Sequence, residues 1–409
     1  MTSHALPLLG DYSEWTYHGV LLRDWLQGHL DQGYVLKNYP VPNSLTTVGL
    51  GLLMLIMPWK LATKTWLIVE VVLGLFSADQ LQRAAGRPQV WRSILMVPAV
   101  LLGTAFWFGF ENFMFGTYFA MLLCALLFRA VESKWMYGAL LTFAFFSHMI
   151  PYGFALLVLL LFSAQQGRWR LLLQAVPSGL LCVWYGIGRL THANADAKAG
   201  MESSVAYLTP AFAAFKVNTY LKCWGFVNPA SSSTDSVLLR LVGTKLFVVL
   251  FALDIVVAIG LAWLLSIAFW RSLRHNEDLR YFWIAVGIFV VVALAMPGAA
   301  AGISDPGGRM MQVALWCAVC VIGIRRRWPQ LVLGACAVTL LVANGYLFEV
   351  VALKPPRIGA TTGPLPDRVR QFAHVYYSGR VQYLDEIDTG KRDLKIFPTA
   401  MFLQKEEHR

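Results

Sequence analysis

The chain reads as an all-α polytopic membrane protein with about ten to eleven membrane helices, and three observations lead there. Of its 409 residues, 57% are hydrophobic and 14% charged, which leaves too little polar surface to cover a water-soluble fold of this size. The apolar residues come in runs, at approximately 45–59, 62–79, 94–110, 113–129, 135–149, 150–164, 171–190, 238–269, 281–297, 309–324 and 329–353. Several runs fall short of the roughly 20 residues that a perpendicular span needs, so their boundaries are soft. The basic residues behind the net charge of +11 sit in short gaps between runs, the pattern that orients helices in a bilayer, and not in the stripes that bind nucleic acid. A nucleic-acid partner is excluded on that ground, and the lipid bilayer is the expected partner.

Five gaps are basic: around Arg83, Arg87 and Arg92, around Arg129 and Lys134, at Arg168 and Arg170, from Arg271 to Arg280, and at Arg325, Arg326 and Arg327. If every intervening run crosses, all five share one side, the cytoplasmic one. The other side then carries Glu111–Asn112, His148–Pro151, the loop of about 191–237, the turn Gly298–Gly308 and the tail from Lys354. Three regions follow: an N-terminal segment 1–44, a membrane domain 45–353, and a tail 354–409. The first two runs complicate this parity. Were both to cross, the amino terminus would be cytoplasmic, away from the other polar loops; a re-entrant 62–79 run, or a helix ahead of Met1, removes the conflict.

The segment from Gly10 to Thr46 is polar and aromatic and directly precedes the first apolar run. Asp11 and Glu14 are three apart and share a face on a helix. Trp15, Tyr17, Val20, Leu21, Leu22, Trp25 and Leu26 give the following turns an amphipathic, interface-seeking character. The same Asp-x-x-Glu spacing also suits a plain helix start, with Asp11 as N-cap. Glu70 and Asp254 lie within apolar runs without a compensating charge nearby in sequence, and a carboxylate at membrane depth marks function by default. No inverted repeat or matched pair of broken helices accompanies them, so a transporter ranks second. The Cys317-x-x-Cys320 pair lies inside an apolar run and lacks a second ligand pair for zinc. The 191–237 loop reads as a polar hinge, an interfacial helix and a turn.

The acidic residue ahead of an aromatic segment, then Tyr39, Pro40, Pro42, Asn43 and Ser44 entering a membrane run, resembles the first external loop of multi-pass lipid-phosphosugar glycosyltransferases of the GT-C fold. Gly109 to Gly116, Phe146-Ser147-His148 and Gly308-Arg309 resemble that group and its uncharacterised membrane relatives too. Members carry a membrane helix ahead of this loop, where the present sequence has Met1 to Leu9. The resemblance implies sugar transfer from a polyprenyl-phosphate-linked donor to an extracytoplasmic acceptor, in a bacterial inner membrane. Such chemistry needs a carboxylate to take a proton or hold a divalent metal, and cations for the departing phosphate.

Asp11 and Glu14 are the candidate catalytic carboxylates, and Arg309 is the candidate phosphate ligand, its guanidinium suited to two-pronged contact. His148, Glu111 and Asn112 are the further substrate-binding candidates. Each competes with a plainer role: Arg309 as a boundary arginine reaching the headgroups, His148 satisfied by a neighbouring loop, Glu111 and Asn112 as turn formers. A non-catalytic component of polysaccharide or lipid assembly is the remaining alternative.

Overall fold

The computed structural model describes residues 12–29, 34–86, 89–102, 104–107, 109–133, 135–191, 210–221, 223–224, 244–275, 279–297, 299–300, 303–322, 327–335, 337–338 and 401–404. These residues are predominantly helical. The helices are α1 (Tyr12–Leu26), α2 (Leu45–Ile56), α3 (Trp59–Ala84), α4 (Val90–Leu102), α5 (Thr104–Trp107), α6 (Glu111–Phe128), α7 (Met136–Ser147) and α8 (Met149–Gln166). A 3-10 turn at Trp169–Ala175 leads into α9 (Val176–Thr191). Then come α10 (Pro210–Leu221), α11 (Thr244–His275), α12 (Arg280–Ala295) and α13 (Pro306–Val321). Two small antiparallel ribbons join β1 (Tyr34–Leu36) to β4 (Phe402–Gln404) and β2 (Ala299–Ala300) to β3 (Ile303–Ser304).

Five segments are long and apolar enough to cross a membrane: Trp59–Ala84, Glu111–Phe128, Met149–Gln166, Trp169–Leu190 and Ile255–Arg274. Shorter apolar helices, among them Leu45–Ile56, Met136–Ser147 and Arg280–Ala295, accompany them. At 1.5 Å per residue, α2 and α7, with 12 residues each, reach about 18 Å, so length alone does not decide which of them crosses.

Side-chain contacts fix the direction of each helix. Arg129, just past α6, donates to the Gln80 carbonyl and side-chain oxygen near the end of α3. Trp66 and Phe115, each near the start of its helix, pack with ring centroids 4.8 Å apart, so α3 and α6 run side by side in the same direction. Arg168 lies 3.7 Å from Glu132. The Tyr281 N–H donates to Gln165, and Arg92 donates to the Cys320 carbonyl at the end of α13. The described residues of the five basic gaps are thereby linked at one end of the bundle, as the parity argument expects.

The other end gathers the loops before α2, α6, α8 and α13. There α2 corrects the sequence reading. Its start is tied to the start of α6, since the Thr46 N–H donates to Asn112 Oδ1 at 2.8 Å. Its far end sits beside the start of α3, where Thr65 Oγ1 donates to Met57 Sδ at 3.8 Å. Both ends of α2 therefore lie at one end of the α3–α6 pair, and the element that fails to traverse the bundle is 45–56 and not 62–79.

The N-terminal helix departs from expectation as well. Trp15 through Leu22 are all buried inside the protein, the polar Thr16 and His18 among them. Only Trp25 and Leu26 of its large apolar residues stay exposed, so α1 is a packed element and not a helix lying on a surface. Small residues permit the close crossing: a Cβ at Gly19 would stand 2.8 Å from Leu50 Cβ, and one at Gly51 would stand 2.8 Å from Leu22 Cδ2.

Candidate functional site

The loops opposite the basic end converge on Arg309 and His148. Asp305 caps α13: its φ of 46° is left-handed, and its side chain accepts from the Gly308 N–H at 3.0 Å. That cap sets the first turn of the helix, on which Arg309 sits. His148 ends α7 and caps α8, with Nδ1 accepting from the Ile150 N–H at 3.1 Å. Separated by 161 positions, the two side chains meet with Arg309 Nη1 3.0 Å from His148 Nε2.

Aromatic rings line the pair. The Arg309 guanidinium lies 4.0 Å from the Phe110 ring centroid and 5.9 Å from that of Phe113. Phe113 also meets the His148 ring edge-on at 5.5 Å. Burial first, and Arg309 second, hold the imidazole well below its usual pKa, so His148 is neutral. A neutral imidazole has one N–H and one acceptor nitrogen. Nδ1 faces the Ile150 amide donor and Nε2 faces the guanidinium, so either tautomer leaves two donors pointing at each other. A surplus donor beside a cation, at the start of α8 where the helix dipole is positive, suits an anion.

The remaining candidates divide. Glu111 opens α6 beside Phe110 and is buried, 1% exposed. Asn112 is pinned instead: while its Oδ1 caps α2, its Nδ2 donates to the Asn43 carbonyl at 2.8 Å. The Ser44 side chain makes no cap bond to α2, so an amide from α6 supplies the acceptor across the fold. With both ends of its amide engaged, Asn112 clamps the loop before α2 to the start of α6. Asp11 lies outside the described residues. Glu14 is within α1, with its side chain outside them. Its neighbours place that helix at this end: Trp15 Nε1 donates to the Gly109 carbonyl at 3.2 Å and Tyr12 donates to the Thr63 carbonyl at 2.6 Å.

Among the described residues no group of three or more His, Cys, Asp or Glu side chains is placed to hold a metal. Glu70 is fully buried in α3, and neither of its oxygens has a hydrogen-bond partner. Tyr118, its hydroxyl equally unpartnered, is an electrostatic neighbour. The Asp254 side chain lies outside the described residues.

One feature had no sequence signal. Lys216 on α10 donates to the Ala293 carbonyl at 2.8 Å and to the Met296 carbonyl, closing the end of α12. Compared with known proteins, the sequence matches no family model, and it matches no curated protein and no solved structure.

Proposed function

We propose that the protein is a membrane glycosyltransferase that moves a sugar from a polyprenyl-phosphate-linked donor to an extracytoplasmic acceptor. The observation that carries this reading is the donor-rich pair of Arg309 and His148, brought together at the end of the bundle opposite the basic gaps. With the basic end cytoplasmic, in a bacterial inner membrane, that pair faces outward. The crossings are α3, the α4–α5 pair, α6, α7, α8, the 169–191 segment, α11, α12 and α13; α1 and α2 pack without crossing.

Asp11 or Glu14 takes the proton of an acceptor hydroxyl as that oxygen bonds to the anomeric carbon. The bond from this carbon to the phosphate oxygen breaks, and Arg309 with His148 holds the polyprenyl phosphate that leaves. A divalent metal held by the same carboxylates is a variant of this scheme.

The test is transfer of radiolabelled sugar from a polyprenyl-phosphate donor by purified variants matched for thermal stability. Arg309→Gln is expected to lose about 100-fold in transfer, on the order of 3 kcal/mol. Arg309→Lys falls between, because an ammonium cannot reproduce the planar fork. Asp11→Asn or Glu14→Gln abolishes transfer if that carboxylate is the base, whereas a capping Asp11 tolerates Asn. Full activity in all of these would remove the assignment.

One observation favours a second reading, an ion-coupled transporter: the unpartnered carboxylate of Glu70 at bundle depth. Ion-coupled flux in proteoliposomes that Glu70→Gln eliminates would put transport first.

A further inference from the structure

The α3–α6 interface holds a polar pair that sugar transfer does not use. Trp66, Glu70, Gly74 and Ser77 recur at helical spacing and form one stripe of α3. Contacts on either side of Glu70 show which way that stripe faces. Trp66 packs on the Phe115 ring at 4.8 Å, and a Cβ at Gly74 would stand 2.6 Å from Tyr118 Cζ, the carbon that bears the hydroxyl. Glu70, between the two, therefore faces α6 at the level of Phe115 and Tyr118, whose rings meet at 6.4 Å.

Glu70 and Tyr118 are both fully buried, and neither carboxylate oxygen nor the hydroxyl has a hydrogen-bond partner. The missing side chain of Gly74 is what lets the Tyr118 ring lie against α3, one turn from Glu70. The electrostatic neighbours identified for Tyr118 are Glu70 and Glu111, both carboxyl groups. Glu111 lies about two turns before Tyr118 on α6, in the first turn of that helix, at the outer end where Arg309 and His148 meet.

Among the described residues, the charged and titratable groups of the other elements packed on α3 are engaged elsewhere. No titratable residue occurs on α2. Arg92 of α4 donates to the Cys320 carbonyl at the basic end, and Cys317 lies one turn from Cys320 on α13. Arg309 is held at the outer end, and Tyr12 of α1 donates to the Thr63 carbonyl. On α3 itself, Lys60 and Lys64 belong to the first two turns.

A bare carboxylate is costly in a bundle interior unless something neutralises it. A proton does so with one oxygen, and it makes the carboxyl a donor for which the Tyr118 oxygen is an acceptor. A divalent cation takes about six oxygens, and one carboxylate with one hydroxyl falls well short of that. We propose that Glu70 and Tyr118 form a proton-binding site inside the bundle, reached from the outer end by way of Glu111. It names the ion of the second, ion-coupled reading and rests on that reading for its use, although proton binding itself is measured without transport.

The experiment labels the full chain, in proteoliposomes of uniform orientation, with dicyclohexylcarbodiimide, a bilayer-soluble reagent that couples to protonated carboxyl groups. Modification of Glu70 is read by mass spectrometry. Raising the outer pH about two units above the point of half-maximal labelling should bring labelling about 100-fold below its maximum, and the same change inside should leave it within about twofold. Control by the inner pH, absence of labelling at every pH, or protection by sodium would each overturn the proposal. A second readout is infrared spectroscopy: the difference between wild type and Glu70→Gln should contain a protonated carboxyl band near neutral pH, and its absence would overturn the proposal too. Tyr118→Phe should move that band, whereas a tyrosine that only packs leaves it in place and removes Tyr118 from the site. The two readings fail separately. Outer-pH-dependent labelling without ion-coupled flux keeps the proton site and removes transport, while sodium-driven flux lost in Glu70→Gln, with labelling blocked by sodium, keeps transport and removes the proton site.

Discussion

Two arginines, Arg92 at the basic end of the helix bundle and Arg309 at the other, meet different kinds of partner. At the basic end four arginines meet an oxygen, Arg92 the Cys320 carbonyl, Arg129 Gln80, Arg83 the Asp79 carboxylate and Arg168 Glu132, while Arg274 lies over the Trp270 ring at 4.2 Å. At the other end Arg309 is laid against the Phe110 ring and a histidine nitrogen. An arginine set on an oxygen closes a helix end or staples two segments. Arg309, set on an aromatic ring and an imidazole, stands where the loops of the other end converge. Counting charges along the sequence orients the bundle, but only the partner distinguishes a staple from a site.

The largest structural effect should come from breaking the buried member of the basic end. Arg92 is among the largest fully buried side chains, and it caps the carbonyl end of α13. Arg92→Ala removes both the cap and the volume, so unfolding in detergent should show a loss of about 3–5 kcal/mol. Transfer per folded molecule should remain unchanged, in contrast to Arg309→Gln. A melting temperature equal to wild type would mean that Arg92 is not the staple its contacts describe.

Asn112 sharpens the comparison from within the outer end, since it lies three residues from Gly109 and yet carries a structural load. Losing the bonds to Thr46 and Asn43 in Asn112→Ala should cost about 1–2 kcal/mol, measured by thermal unfolding. Activity corrected for folded fraction should stay within about twofold. Lost activity with unchanged stability would return Asn112 to the substrate side.

Much of this layout was legible in the sequence. The apolar runs fall on α3, α6, α8 and α12 to within a few residues, because a run long enough to fill a bilayer has few other ways to satisfy its backbone. Arg309 and His148 were legible as candidates because each stands at the edge of such a run. Their meeting was not, since it depends on how α8 and α13 pack. The fate of α2 was hidden for the same reason: an apolar stretch of 12 residues suits a short span or a packed hairpin arm equally. What decides is Gly49, where a Cβ would come 2.1 Å from the Trp66 ring and drive α2 off α3. The burial of α1 followed no periodicity, because α2, the Gly109 turn and β1 cover it from different directions.

The smallest effect belongs to Arg83, and it tests whether the basic end is held together by charge at all. Arg83 Nε donates to Asp79 Oδ2 at 2.7 Å, a good distance for a charge-assisted bond, but the two side chains are 64% and 41% exposed. In water that pair gains little, because solvent screens the attraction and ordering two flexible side chains opposes it. One helical turn apart on α3, the residues should contribute no more than about 0.5 kcal/mol. Arg83→Ala is therefore expected to leave the melting temperature within error at physiological salt, even though its contact is shorter than that between Arg168 and Glu132 at 3.7 Å. A loss approaching that of Arg92→Ala would mean that surface charge and not burial stabilises this end, and the contrast between the two arginines would fail. Repeating the measurement at 1 M salt separates the cases, since screening removes an exposed pair and barely touches a buried cap.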